Sequence, residues 1–243
     1  MSTPAATGLG AATATATKSH ICIFGSSFSP PTLAHLSILS SLSATNAFTT
    51  ILVVPVYRHM YSSKRLPSPS HESTLFAHKL KMCSLLLSSL PSPPLVISPL
   101  ESEIFTSLLP TSSTPSSIRI PTSLIISTLL SRNPNSEISL CLGSDTYSDV
   151  LSSKWKNTPY LSSHLKSIYV IPRDGEGTEY PGREDGLNPV ILDVEGLEGV
   201  SSTRAREVAR EVIRKGDGRY RELEGLVGEE VAEYVWEEGL FRD

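Results

Sequence analysis

The sequence has little cysteine, no long apolar segment and no concentrated stripe of basic residues. Its 243 residues include three cysteines, which are not paired at short spacing. They therefore favour a reducing compartment and predict neither a disulfide framework nor a zinc site. No apolar run approaches the roughly 20 residues that a membrane-spanning helix needs. A net charge of −4 with scattered lysines and arginines argues against nucleic-acid binding.

Charge is divided unevenly along the chain. Residues 1–100 contain six lysines and arginines but only one acid, whereas the remainder contains 15 bases and 24 acids. A positive amino-terminal part suits anionic substrates, although an ordinary uneven surface would have the same composition.

The first 19 residues are mostly Ala, Thr, Gly and Ser and have no core-forming periodicity. We predict that 1–19 is a disordered leader and that 20–243 forms one domain. The alternative for the leader is a short transit peptide, but it lacks the arginines and the amphipathic face of one. A cytoplasmic location is therefore expected.

From His20 onward, β-branched apolar runs alternate with helical spacing, which predicts an α/β fold with a doubly wound parallel sheet and helices on both faces. Strands are predicted at 21–24, 50–56, 95–98, 138–142, 167–171 and 190–194. Helices are predicted at 33–42, 71–90, 122–130, 202–215 and 228–238. Residues 101–117, rich in Ser, Thr and Pro, are predicted to be a surface insertion, and 174–188 to be a polar loop.

Small or polar residues follow three of the predicted strands. Gly25-Ser26-Ser27, Pro55-Val56-Tyr57 and Gly143-Ser144-Asp145 each lie at a carboxyl end. Ligands of open parallel sheets bind outside these ends. We therefore expect the three segments to meet at one crevice.

The first candidate motif follows strand one and runs from Phe24 to His35. Gly25-Ser26-Ser27 offers close backbone approach and small donors. Thr32 and His35 lie one turn apart at the start of a helix. There a protonated or donor His35, with the positive end of the helix, would neutralise charge on a transferred phosphate. The alternative is that His35 only caps or packs.

The second candidate motif, Val200–Arg206, opens a helix near the carboxyl end. Its three hydroxyl residues could simply cap the helix. Arg204 and Arg206 in the first turn, however, oppose the helix dipole unless an anion is present. We therefore expect an anion site.

Together the two motifs resemble the signature of the nucleotidylyltransferase superfamily. Thr32–His35 matches the pattern His or Thr, any residue, Gly, His, with Ala34 at the glycine position, and Ser29 stands where an aspartate is usual. Val200-Ser201-Ser202-Thr203 and Arg206 match Ile-Ser-Ser-Thr, two residues, Arg.

Three further segments resemble the nicotinate or nicotinamide mononucleotide adenylyltransferases within that superfamily. They are Leu142–Asp145, Trp155 and Tyr169–Gly175. The resemblance implies a Rossmann-like nucleotidylyltransferase fold. It also implies adenylyl transfer from ATP to a pyridine mononucleotide, giving NAD or deamido-NAD and pyrophosphate. Mg²⁺ would be carried by ATP, without a metal site in the protein.

The resemblance also assigns the site residues. Those implied as catalytic are His35, Thr32, Arg206 and Lys64. Those implied to bind ATP are Gly25, Ser26, Ser27, Phe28, Thr32, His35, Arg173, Ser201, Ser202, Thr203 and Arg206. Those implied to bind the mononucleotide are Gly143, Asp145 and Trp155, and Tyr57, at the end of the second predicted strand, is expected to border the same substrate.

Three alternatives stay open at this point. A sister enzyme would use another phosphorylated acceptor. A nucleotide-binding homologue without turnover is suggested by Ser29 and Ala34. A purely structural α/β domain would use its arginines only for surface pairs. The partners expected are small molecules, and a homo-oligomer is compatible with the sequence.

Overall fold

The structure is a computed structural model, and it describes residues 18–58, 72–88, 90, 95–112, 117–172, 180–182, 189–196, 198–216 and 220–242. The predicted leader therefore lies outside the described residues except for Lys18 and Ser19. None of the helices in the described ranges is both long and apolar enough to cross a membrane.

Six parallel strands form the sheet of the described chain. They are β1 (His20–Ser26), β2 (Thr50–Pro55), β3 (Leu95–Ile97), β4 (Glu137–Gly143), β5 (Leu165–Ile171) and β6 (Pro189–Ile191). Their order is β3-β2-β1-β4-β5-β6, with every neighbouring pair parallel. The strand order reverses between β1 and β4, so the carboxyl ends of these two strands form the switch point at which such sheets bind ligands.

Helices connect and cover the strands. They are α1 (Leu33–Ala44), α2 (Glu72–Leu87), α3 (Leu100–Leu108), α4 (Thr122–Arg132), α5 (Ser144–Leu151), α6 (Thr158–His164), α7 (Ser202–Lys215), α8 (Arg221–Val227) and α9 (Glu229–Glu237). The predicted α/β fold is confirmed, and all the predicted strands and helices are present with small shifts of their ends.

The core lies on both faces of the sheet because successive strand residues point to opposite sides. Ile21 and Ile23 of β1 join an apolar cluster with α3, α4, α5 and α6. Cys22 and Phe24 join a second cluster with α1. A third cluster packs α2 against α7, α8 and α9, and so fixes the start of α7 relative to the sheet.

The prediction of a surface insertion at 101–117 is wrong for residues 101–108, which belong to α3. Leu100, Ile104 and Phe105 are buried, at the spacing of one helix face. The abundant hydroxyl residues obscured this pattern. In the helix they bond to backbone carbonyls of the preceding turn, as Thr106 does to Ser102 at 2.8 Å.

Three helices besides α3 are absent from the prediction: α5, α6 and α8. They have only seven or eight residues each, which is too short for a clear helical period. Most of the predicted loop at 174–188 lies outside the described residues. At its described part the Pro181 carbonyl accepts a hydrogen bond from the Tyr147 hydroxyl at 2.7 Å.

Candidate active site

The loop between β1 and α1 is held by aromatic packing. Phe28 is 1% exposed, and its ring centroid lies 4.8 Å from that of His35 and 5.8 Å from that of Phe24. The backbone of Phe28 has φ 43°, a region that bulky residues avoid unless packing holds them there. Packing of Phe28 against His35 and Phe24 therefore helps to fix the loop.

His35 is held by two residues of the first motif. Its Nδ1 accepts the Thr32 backbone N–H at 3.0 Å and lies 2.8 Å from the Thr32 hydroxyl. Its Nε2 lies 3.1 Å from Ser26 Oγ. Because Nδ1 is the acceptor, the neutral ring carries its proton on Nε2 and donates it to Ser26.

Burial determines which form of His35 is present. Removal of the ring from water lowers its pKa to about 4. At neutral pH His35 is therefore an uncharged N–H donor. Of the two forms considered from the sequence, the protonated one is disfavoured.

This low pKa predicts a dependence of stability on pH. The folded chain keeps His35 neutral, whereas the unfolded chain binds a proton there below its ordinary pKa of 6.5. The free energy of unfolding should therefore fall as the pH is lowered from about 6.5 toward 4. Urea unfolding at pH 7, 6 and 5 measures this, with His35→Asn as the comparison. Identical pH dependence in the two proteins would contradict a depressed pKa at His35, since His20, whose pKa is also lowered, is common to both.

The second motif lies directly against the first. Ser201 caps α7 by accepting the Arg204 N–H at 3.2 Å. Ser202 Oγ donates to the Pro30 carbonyl at 2.8 Å. The Arg206 guanidinium donates to the Ser29 carbonyl at 2.7 Å and to Thr203 Oγ1 at 3.1 Å. Direct hydrogen bonds therefore join the two motifs, although their residues lie more than 170 positions apart in the sequence.

A cavity of about 270 Å³ opens between the two motifs. Its lining residues are Ser27, Thr32, Ala34, His35, Ile38, Val200, Ser201, Ser202, Thr203 and Arg206. Seven of the residues predicted to bind ATP are among them. Ile38 was missed, although it lies one turn beyond Ala34 on the same helix and could have been found from that spacing.

Three residues predicted to bind ATP do not line this cavity. Gly25 and Ser26 belong to β1, and the buried Phe28 ring packs against that of His35. A Cβ added to Gly25 would meet only the Val54 carbonyl, at an ordinary 3.8 Å. The fold itself therefore does not require a glycine there.

The expectation that Arg204 faces a bound anion is wrong. Its guanidinium pairs with Glu222 of α8 at 2.6 Å and lies 3.8 Å from Glu207. An acid from another helix thus compensates this arginine, and no bound anion is needed to explain it. Arg206 alone of the two lines the cavity, and its partial burial together with the charge of Arg210 lowers its pKa.

The four residues predicted to bind the mononucleotide lie outside this cavity lining. Gly143 ends β4, and Asp145 lies exposed in the first turn of α5. A Cβ on Gly143 would come within 2.9 Å of the Asp145 carboxylate, so the glycine leaves room for that carboxylate. Trp155 is half-buried against the core. Tyr57 follows β2, with its ring centroid 5.0 Å from those of Phe76 and Phe105.

Two predicted site residues cannot be placed. Lys64 and Arg173 lie outside the described residues. Within the described part, no group of three or more His, Cys, Asp or Glu side chains is arranged to hold a metal ion.

No protein-family model matches the chain. A curated protein of Anaeromyxobacter dehalogenans strain 2CP-1, named "Probable nicotinate-nucleotide adenylyltransferase", is 26% identical over 222 residues, which cover 91% of this chain and 96% of that protein. A protein of the same name from Anaeromyxobacter sp. strain K has the same identity and coverage.

Solved structures with a similar fold come from Plasmodium falciparum. Its nicotinic acid mononucleotide adenylyltransferase complexed with NaAD matches with a TM-score of 0.68 at 20% identity, over 92% of this chain and 97% of that one. The same protein complexed with APC matches with a TM-score of 0.66. The fold implied by the two motifs is confirmed by these structures, and the family resemblance by the curated relatives.

Proposed function

We propose that this chain transfers the adenylyl group of ATP to nicotinate or nicotinamide mononucleotide and releases pyrophosphate. The observation that carries the proposal is the contact between the two motifs, through Ser202 with Pro30 and Arg206 with Ser29, around one cavity. The curated relatives named for this activity match the chain over nearly its whole length.

The electrostatics of the cavity suit a triphosphate. Thr32 and Ser201, which precede the first turns of α1 and α7, both line it. The positive ends of two helices of 12 and 14 residues therefore meet there. The first turns of these two helices contain no acidic residue. Arg206 adds a full charge, so the potential favours an anion.

In the proposed reaction, the 5′-phosphate oxygen of the mononucleotide attacks the α-phosphorus of ATP. The bond from that phosphorus to the bridging oxygen breaks, and pyrophosphate leaves with the electron pair. His35 and Thr32 contact the α- and β-phosphates, while Ser202, Thr203 and Arg206 hold the β- and γ-phosphates. The chain forms no covalent intermediate, so catalysis consists of alignment and charge neutralisation.

The remaining assignments are part of the same proposal. Mg²⁺ would be carried by ATP, which suits a cavity lined by hydroxyls and the cation Arg206 rather than by carboxylates. Lys64 and Arg173 add positive charge around the phosphates. The mononucleotide is bound by residues in or after the carboxyl ends of β2 and β4, namely Tyr57, Gly143, Asp145 and Trp155.

The departure at Ser29 is compatible with activity. Its side chain is buried, and its contact with Arg206 uses the backbone carbonyl, which any residue supplies. Residue 29 therefore holds Arg206 through its backbone, without the usual aspartate. The homologue without turnover is kept as an outcome of the test below.

The test is incubation of the pure protein with ATP, Mg²⁺ and each mononucleotide, with products read by mass spectrometry. We expect a dinucleotide and an equal amount of pyrophosphate. Phosphopantetheine with ATP, and CTP with a phosphoalcohol, serve as controls for sister enzymes. Binding of ATP without any pyrophosphate would contradict the proposal and select the homologue without turnover.

A further inference from the structure

Two buried ionisable residues, Lys79 of α2 and Glu101 of α3, hold the same peptide group. Lys79 Nζ donates to the Val56 carbonyl at 2.7 Å. Glu101 Oε2 accepts the Tyr57 N–H at 2.8 Å. This carbonyl and this N–H belong to one peptide unit, so a cation and an anion hold it from opposite sides. We call this arrangement the peptide clamp.

Burial makes the peptide clamp costly unless its groups are satisfied. Lys79 is 5% exposed and Glu101 is 7% exposed. Burial lowers the pKa of Lys79 to about 8 and raises that of Glu101 to about 7, while the charge of each opposes the other's shift. Charged groups are rarely buried without a purpose, because their desolvation costs several kcal/mol.

The peptide group that precedes the clamped one is hydrogen-bonded to β1, next to a cavity-lining residue. The Val56 N–H donates to the Ser26 carbonyl at 2.9 Å. The Ser26 hydroxyl in turn contacts Nε2 of His35 at 3.1 Å. The clamp therefore holds the first peptide beyond the point where β2 pairs with β1, and Ser26, the last residue of β1, contacts His35 there.

The same two helices also hold the side chain of Tyr57. Phe76 lies one turn before Lys79 on α2, and Phe105 lies one turn after Glu101 on α3. The Tyr57 ring packs against both. Each helix thus contributes one charged residue to the backbone and one aromatic residue to the ring.

We propose that Lys79 and Glu101 are positioning residues that fix the Val56–Tyr57 peptide, and with it Tyr57, for the pyridine mononucleotide. This inference rests on the proposed function for its substrate. The existence of the peptide clamp is independent of the proposed function, because hydrogen exchange measures it without turnover.

The first experiment measures amide hydrogen exchange of peptides that contain Val56 and Tyr57. Lys79→Met should speed their exchange by about 10-fold or more, because loss of the Lys79 contact frees the Val56–Tyr57 peptide and with it the Tyr57 N–H that Glu101 accepts. The matched control is Lys81→Met, which removes an exposed lysine from the same helix. Unchanged exchange in Lys79→Met would overturn the clamp, whatever the activity of the protein.

The second experiment separates positioning from stability by steady-state kinetics. Lys79→Met should raise the KM for the mononucleotide roughly 5-fold or more, with little change in the KM for ATP. Lys79→Arg keeps a donor and should remain close to wild type. Glu101→Gln removes the buried carboxylate charge, and Glu103→Gln, which removes an exposed carboxylate of α3, is its matched control.

The double variant Lys79→Met/Glu101→Gln decides between a positioning and a purely structural role. Removing both charges should recover much of the stability lost in Lys79→Met, since no lone buried charge remains. The KM for the mononucleotide should stay raised, because nothing donates to the Val56 carbonyl. Recovery of a normal KM together with stability would overturn the proposal.

Absence of dinucleotide from the wild type would instead contradict the proposed function. The hydrogen-exchange result would still decide whether the peptide clamp exists.

Discussion

We expect His35→Ala to lower kcat by about 100-fold or more, with only a modest rise in the KM for ATP. His35 lines the cavity between the two motifs, and its Nε2–H, which lies 3.1 Å from Ser26 Oγ, is the donor that we assign to the phosphate. An N–H placed in advance stabilises charge that grows on the phosphate during transfer, and alanine removes it. Steady-state kinetics with ATP varied at saturating mononucleotide measure both constants.

Two further variants sharpen the interpretation of His35→Ala. His35→Asn retains an amide N–H and should recover part of kcat, whereas a role in packing would not be rescued in this way. His164→Ala, which removes an exposed histidine on α6, should be fully active. Near-normal turnover of His35→Ala would refute a catalytic role for this residue.

Arg206→Ala should raise the KM for ATP by about 10-fold or more. The variant loses a partly desolvated charge in the cavity, and hydrogen bonds to charged groups are worth about 1.5–3 kcal/mol. The KM of Arg206→Lys for ATP should lie between those of the wild type and Arg206→Ala. An ammonium keeps the charge but cannot contact Ser29 and Thr203 as the planar guanidinium does.

The chain offers a matched control for Arg206 within the same helical turn. Arg204 is paired with Glu222 at the surface, so Arg204→Ala should leave the KM for ATP unchanged. An equal rise of the KM in both variants would indicate a general loss of surface charge. An unchanged KM in Arg206→Ala would contradict the assignment of this residue to the triphosphate.

The strands and long helices were predictable because their apolar residues recur at a clear period. The two phosphate motifs were predictable because hydroxyls, histidine and arginine occur at fixed spacing next to element ends. Of the three strand-end segments expected to meet at one crevice, the first reaches the cavity through Ser27, whereas those ending at Tyr57 and Asp145 do not line it.

The role of Arg204 and the peptide clamp could not be predicted, because both depend on partners distant in sequence. Arg204 has the same local signal as Arg206, and only the position of Glu222 on α8 separates their roles. The helix α3 was hidden by its own serines and threonines. Lys79 and Glu101 lie 22 residues apart on different helices, and nothing local to either shows that they share one peptide.

The contacts of Ser202 with Pro30 and of Arg206 with Ser29 have a consequence for synthesis of the protein. The loop at Pro30 leaves the ribosome long before α7 does, and by itself it supplies only half of the cavity wall. A nascent chain that ends before residue 202 therefore lacks the cavity wall formed by Ser202, Thr203 and Arg206, even when β1 and α1 have folded. Nucleotide occupancy can contribute to the stability of this domain only once translation has passed the second motif.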